Sequence, residues 1–483
     1  MSIKKAALIS AVSKYSTILL NLVFSAILAR LLSPEDYGIV AVTVVFTTFF
    51  ALFSDMGIGS GIIQNKDLSQ KDIDNIFTFS IIFAFVLCVA FILFSFPMSR
   101  FYKDEVYIPV GILLSISLLF STLNMVPNAI LLKQKKFVSV GLRTVIICIV
   151  SGIVGIVFAC LGLKFYALVF QTIINSVCVF LWNYLSTKPK VVKKINWNGI
   201  SKIKNFSLYL FAFNIINYFS RNTDNLLISK FMGTSALGYY DKAYKLMCYP
   251  TQNLTHVITP VLHPILSEHQ NDKMYIYEKY LEIVKLLSLC GIFIMPFCFF
   301  ASDEIILLLF GEKWIFAVPS FKFLSISIWA QLITSSSGSI FQSLGDSKKM
   351  FTCGWVNALI TVAAIILGIL EGDIVSVARN VGVVLNVHFI TTYIILISGG
   401  FKMSYIKFIK FLFPDFFLII FMFFSGTLIN VLVGKLLIEN IFLKCCVRFF
   451  MMFTVYVCSL FFSKQYKYLT KFFRRKRTKT EKK

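Results

Sequence analysis

The chain has 483 residues, 58% of them hydrophobic and only 14% charged, with a mean hydropathy of +0.80. Such a composition leaves too little polar surface for a water-soluble globule of this length, so the chain reads as a polytopic membrane protein. The net charge of +24, from 47 Lys and Arg against 23 Asp and Glu, is answered by anionic membrane lipids and needs no nucleic acid.

Apolar runs approaching the roughly 20 residues that cross a bilayer tile the chain from end to end. In order, the predicted spans lie near 11–32, 37–62, 75–98, 107–132, 141–162, 165–187, 204–231, 236–266, 277–300, 315–342, 350–370, 374–399, 407–434 and 439–463. That makes fourteen, or twelve if the last pair is re-entrant. Lys4 and Lys5 precede the first run and no small-residue cleavage site follows it, so it reads as an uncleaved span. With the N-terminus in the cytoplasm, most of the basic residues fall inside. These are Lys4, Lys5, Lys14, Lys66, Lys71, Lys133, Lys135, Lys136 and Arg143, the lysines from Lys188 to Lys204, Lys273, Lys279, Lys285, Lys348, Lys349, Lys402, Lys407 and Lys410, and the tail from Lys464. Both termini are then cytoplasmic. The tail "KFFRRKRTKTEKK" has an RNA-binding composition, but directly after a last span it suits anionic headgroups better. The 11 cysteines fall mostly inside apolar runs without CxxC or metal-ligand spacing and read as core residues; no metal or cofactor is expected. No GxxxxGK[ST] occurs, so the chain is not expected to hydrolyse ATP itself.

The basic stretch "STKPKVVKKINWNGISKIKN", Ser186 to Asn205, divides the spans into six and eight. The expected organisation is an N-terminal six-helix lobe 1–187, a cytoplasmic linker 188–204, a C-terminal six-helix lobe 205–400, two additional spans 401–463 and a basic tail 464–483. A repeat supports it. "ILARLLSPEDYG", Ile27 to Gly38, aligns with "ISKFMGTSALGYY", Ile228 to Tyr240, so that Arg30 falls on Lys230, Ser33 on Gly233 and Gly38 on Gly238. Each copy is the outer turn of the first helical hairpin of its half, as parallel repeats about an axis along the membrane normal require.

The segments "ARLLSPEDYG", "FSDMGIGSGIIQ" and "RNTDNLLISKFMGTSALGYYDKAYKL" resemble the polysaccharide-transporter branch of the multidrug/oligosaccharidyl-lipid/polysaccharide exporter superfamily, which holds Wzx-type flippases for lipid-linked oligosaccharides. The resemblance implies an all-α membrane protein with two pseudo-symmetric six-helix lobes around a central cavity and two further C-terminal helices. It also implies that undecaprenyl-pyrophosphate-linked oligosaccharide units (O-antigen, capsule, exopolysaccharide or teichuronic-type) move from the inner to the outer leaflet of the bacterial cytoplasmic membrane by alternating access. The expected partners are that lipid-linked substrate, anionic lipids, and the polysaccharide polymerase and chain-length machinery.

The residues themselves propose a site. Asn214, Asn217, Arg221 and Asp224 recur at three, four and three residues and share one helix face. On the next span Lys242, Lys245, Tyr249, Gln252, His256, Thr259 and His263 continue at three and four. A charge facing lipid at mid-membrane costs about 2.5–3.5 kcal/mol or more, so such a stripe faces water or protein. Arg and Lys would offset a pyrophosphate, while amides and hydroxyls suit sugar hydroxyls. The alternative is interhelical pairing, of Arg221 with Asp224 and of Lys242 with Asp241 or another neighbour. In the first half Asn21 lies on a weaker stripe with Lys14, Thr17 and Ser25, and Arg30 is an interface anchor or a ligand. Lys322 either snorkels or lines the cavity. Asp55 beside "GIGSG" is an ion-coupling candidate with Asp224, or a hydrogen-bonded structural acid. The outer acids Glu35–Asp36, Asp104–Glu105, Asp303–Glu304 and Glu371–Asp373 read as solvated loop charges. They are too scattered for a membrane polymerase or glycosyltransferase, the chief enzymatic alternative. A cation-coupled small-molecule antiporter on the same fold would want an acidic cavity, whereas this stripe is basic.

Overall fold

The computed structural model describes residues 3–55, 58–64, 68–192, 218, 222–267, 272–436, 438–468 and 470. Among them the chain is helical, without strands. The contacts divide it into two compact units, 1–238 and 239–483.

The first unit opens with α1 (Ile3–Leu31) and α2 (Pro34–Asp55), followed by the short α3 (Ile58–Gln64) and the long α4 (Gln70–Tyr102). Then come α5 (Tyr107–Leu123), α6 (Met125–Lys133), α7 (Phe137–Cys160), α8 (Tyr166–Thr187) and α9 (222–232). The helix α10 (Thr234–Ser267) begins in this unit and runs into the second. α1 packs on α7, α4 on α5, and α8 on both α5 and α7.

The second unit continues with α11 (Lys273–Phe300), α12 (Ser302–Phe310) and a 3-10 turn at Glu312–Trp314. Three short helices follow, α13 (Ala317–Ser325), α14 (Ile328–Thr334) and α15 (Ser337–Ser343). After α16 (Ser347–Leu370) and α17 (Ile374–Tyr393) the chain widens into a π-helical segment, Ile394–Phe401, and closes with α18 (Tyr405–Lys435) and α19 (Ile441–Phe462). Here α16 packs on α17, α11 on α14 and α18, and α12 and α18 on α19.

Eleven helices are long and apolar enough to cross a membrane among the described residues. Three of the fourteen predicted spans are not among them, each for a visible reason. Residues 204–231 lie mostly outside the described residues. α10 has the length, but its polar stripe lowers its hydropathy. Residues 315–342 fold as three short helices instead of one continuous span. The outward faces fit lipid. On α18 Phe413, Phe417, Ile420, Phe424, Leu428 and Val431 are exposed, a strip about 27 Å long at 1.5 Å per residue, against a hydrocarbon core of about 30 Å.

Helix ends follow capping chemistry. Ser69 caps α4 with Asp72 in a reciprocal box: Asp72 N donates to Ser69 Oγ at 3.2 Å and Ser69 N to Asp72 Oδ2 at 3.1 Å. The described non-glycine residues with positive φ are all lysines: Lys103, Lys135, Lys164, Lys188, Lys402 and Lys464. Those at 103, 188 and 402 are C-caps of helices. A left-handed lysine costs about 1–2 kcal/mol over glycine. Its charge beside the helix carbonyls and near lipid headgroups offsets part of that.

Candidate functional site

The repeated motif turns out to be a helix start with a specific job. Ser33 caps α2 while Pro34 takes the first helical position, where its missing N–H costs nothing. Asp36 N donates to Ser33 Oγ at 3.2 Å, and Asp36 Oδ2 accepts from Ser33 N at 2.9 Å and from Ser33 Oγ at 2.7 Å. The other carboxylate oxygen, Oδ1, accepts from the backbone N of Phe165 at 3.0 Å, tying the start of α8 to that of α2. Asp36 is buried, which corrects its reading as a solvated loop charge.

Four residues after Pro34, Gly38 lies against the carbonyl of Thr234, and four residues after Thr234, Gly238 lies against the carbonyl of Pro34. A Cβ at either glycine would run into backbone, so two helix N-termini cross reciprocally at their glycines within the first unit. Gly233, before α10, has φ +89, which side chains rarely adopt; this explains why glycine stands where the first copy has Ser33. Lys230 donates to the Phe101 carbonyl at the end of α4 and lies 4.3 Å from the Phe101 ring centroid. In the second copy of the motif, the cation anchors a helix end.

The polar stripe divides into what is covered and what is open. Asn217 and Arg221 lie outside the described residues, so their relation to Asp224 is not described. Asp224 is buried on α9 and accepts from Asn225 N at 2.8 Å. On α10 Asp241 and Lys242 are both buried. Lys242 Nζ sits 5.1 Å from the Phe310 ring centroid and 5.7 Å from that of Trp314. Asp241 accepts instead from Lys245, at 2.6 Å, one turn on. The Lys245 side chain is 63% exposed. Tyr249 is half-buried and Gln252 exposed, so Lys245, Tyr249 and Gln252 form one open polar strip. His256 lies on the same helix, with its side chain outside the description. Among the described residues α10 is not one of the helices apolar enough to cross a membrane, and an open strip of this kind suits water, because lipid offers such groups no partner.

The remaining candidates lie elsewhere. Asn21 is exposed on α1 and accepts from the Cys148 thiol at 3.2 Å. Lys322 is half-buried with Nζ 4.9 Å from the Phe299 ring centroid. Asp55 is the last residue of α2, and its side chain is not described. Asn21 and Asp55 belong to the first unit and Lys322 to the second.

Two buried charge clusters were not legible from spacing. Lys285, counted above among the cytoplasmic basic residues although the predicted span 277–300 contains it, lies within α11, 2% exposed, and pairs with the fully buried Asp415 of α18. Asp415 Oδ2 also accepts from Ser288 Oγ at 2.7 Å, and Trp329 Nε1 donates to Ser288 Oγ at 2.9 Å. Glu304, read as a loop charge, is buried on α12 and accepts from Arg448 of α19 at 2.7 Å, while Arg448 donates to Asn430 of α18 at 2.7 Å. The paired charges, Lys285 with Asp415 and Glu304 with Arg448, stand more than a hundred residues apart. Only lone acids and cations inside apolar runs could have hinted at them.

The architecture is all-helical, with eleven helices long and apolar enough to cross a membrane among the described residues. The chain belongs to the polysaccharide biosynthesis protein family, whose model matches residues 27–319. Among curated relatives, lipopolysaccharide biosynthesis protein WzxC of Escherichia coli is 24% identical over 418 residues, covering 85% of this chain and 84% of that protein. Teichuronic acid biosynthesis protein TuaB of Bacillus subtilis is 23% identical over 383 residues, 79% of each. The fold is similar to that of the lipid II flippase MurJ in an inward closed conformation, with a TM-score of 0.73 and 14% identity over 95% of this chain and 99% of that one. It is also similar to an inward-facing multidrug resistance MATE family transporter of the MOP superfamily, with a TM-score of 0.59 and 16% identity over 77% and 92%.

Proposed function

We propose that this protein is a flippase that carries polyprenyl-pyrophosphate-linked oligosaccharide from the inner to the outer leaflet of the bacterial cytoplasmic membrane. Both termini lie in the cytoplasm, two six-helix lobes (1–187 and 205–400) alternate access, and the helices after residue 400 are accessory. The observation that carries this reading is the open strip Lys245–Tyr249–Gln252 on α10, an exposed cation and an exposed amide with a half-buried tyrosine between them. That is the chemistry a phosphorylated sugar headgroup needs while its lipid tail stays in the bilayer. Family membership and the names of the relatives, which speak of lipopolysaccharide and teichuronic acid biosynthesis, support it.

The test is surface polysaccharide from cells carrying Lys245→Ala. Lys245 is 63% exposed but Asp241 is buried, so Lys245→Ala leaves Asp241 with the neighbouring buried Lys242 as its counter-charge. Protein level is measured beside export, and export should fall further than protein. Lys245→Arg, which keeps the charge, should retain part of the activity. Wild-type export from Lys245→Ala at equal protein level would remove the strip from the site.

A further inference from the structure

The first unit holds a cation that neither its helix nor the site above explains. Arg143, counted by sequence on the cytoplasmic side at the start of the predicted span 141–162, is the seventh residue of α7 (Phe137–Cys160) and lies about 9 Å along the helix from its first residue at 1.5 Å per residue. No carboxylate pairs with it among the described residues. Its partners are neutral: Nη1 donates to Asn183 Oδ1 at 2.7 Å and to Asn128 Oδ1 at 3.1 Å. Asn183, on α8 and fully buried, donates in turn to Asn124 Oδ1 at 2.7 Å, at the break between α5 and α6. Two amides, from α6 and α8, therefore grip one end of the guanidinium, and the third, Asn124, holds Asn183 in place behind it. The opposite edge is left over. Nε is buried without a partner, and Nη2 has no hydrogen bond among the described residues.

A buried donor without a partner is destabilising, and Nε with Nη2 is one of the two-donor forks by which arginine takes a carboxylate or phosphate side-on. The amides hold the charge without neutralising it, whereas a structural ion pair would have brought an acid. The surroundings select among anions. Leu142, Ile146 and Val150 of the same helix are exposed, as lipid-facing residues are, and Lys135, Lys136, Lys188 and Lys190 stand exposed around the helix ends on this side of the unit. A ligand reaching Arg143 past such surroundings carries its anion on a lipid.

We propose that Arg143, held by Asn128 and Asn183, is a receptor for a lipid-borne phosphate group, distinct from the strip on α10. Two lipids share that chemistry: an anionic phospholipid, and the pyrophosphate-linked lipid of the transport reading. In the second case the site is where substrate is held before translocation, and that arm alone rests on the proposed function.

The experiment is native mass spectrometry of the full chain in detergent micelles, titrated with undecaprenyl pyrophosphate in one arm and phosphatidylglycerol in the other. Arg143→Gln should weaken binding of at least one probe roughly ten- to hundredfold, the loss of a charged two-point contact. Arg143→Lys keeps a cation over the asparagines but lacks the fork, and should weaken it less. It also carries the test should the Gln variant not fold. Loss confined to undecaprenyl pyrophosphate assigns the site to substrate, and loss confined to phosphatidylglycerol assigns it to membrane lipid. Wild-type affinity for both probes in folded Gln and Lys variants overturns the proposal. Binding is read here without transport, so failure of the flippase reading would show separately, as unchanged export in the Lys245 experiment.

Discussion

Removing Asp415 tests whether α18 is held to the second unit by a charge. Lys285 is 2% exposed and Asp415 fully buried, so solvent cannot screen either group. Leu at 415 would strand the Lys285 ammonium between α11 and α18, beside the rings of Phe411 and Tyr468 at 5.4 and 5.3 Å. Breaking a buried pair by taking away one partner costs about 3–5 kcal/mol, whereas replacing both partners by apolar groups of similar size is often neutral or stabilising. Asp415→Leu should therefore lower the thermal stability of the detergent-solubilised chain sharply, and Lys285→Met with Asp415→Leu should recover most of it. Asp415→Asn keeps an acceptor for Ser288 Oγ, now 2.7 Å from Asp415 Oδ2, and should fall between. Trp329, whose indole N–H donates to Ser288 at 2.9 Å, reports the local disturbance by fluorescence while global unfolding is followed by circular dichroism. If the single Leu variant is no less stable than the double variant, the charge is not what the pair contributes and the reasoning fails.

Asp36→Ala removes half of the α2 capping box and the bond to Phe165, and should cost about 0.5–2 kcal/mol in thermal unfolding; an unchanged midpoint would contradict the cap. Gly38→Ala and Gly238→Ala each press a methyl onto a carbonyl of the crossing helix and should destabilise by about 1–3 kcal/mol, while Gly434→Ala, which meets nothing within 4 Å, should be neutral; equal effects at all three would refute the crossing. The hydrogen bond from Lys349 holds the Asp346 carboxyl below its ordinary value. That contribution is complete above the unfolded carboxylate value of about 3.9 and disappears as pH falls through the lower folded value. Asp346→Asn should accordingly lose that part of the acid-unfolding profile, and an identical profile would count against the pairing. A cytoplasm-dependent reporter should be active after Lys194 or at Lys483 and silent after Asp104; activity at Asp104 would reverse the orientation drawn from the basic loops.

Membrane residence and an all-helical architecture were determined by sequence alone, and the motif shared by residues 27–38 and 228–240 was visible there. Each is a one-dimensional signal: apolar length against bilayer thickness, and a turn motif recurring at a fixed offset. The motif's residue types were legible too, since Ser33, Pro34 and Asp36 are a helix start by local chemistry alone. Their partners were not. That Gly38 meets Thr234 and Gly238 meets Pro34, that Asp36 reaches Phe165, and that Lys285 pairs with Asp415 and Arg143 with Asn183 all depend on contacts between distant segments. Hydropathy averages over a window and dissolves a single buried cation into its apolar neighbours. The same limit applies to α10. Spacing put Lys242, Lys245, Tyr249 and Gln252 on one stripe, but only tertiary packing decided that Lys242 is covered by Phe310 and Trp314 while Lys245 and Gln252 stay open. Helical periodicity tells which residues share a face, and the neighbouring helices decide how much of that face water can reach.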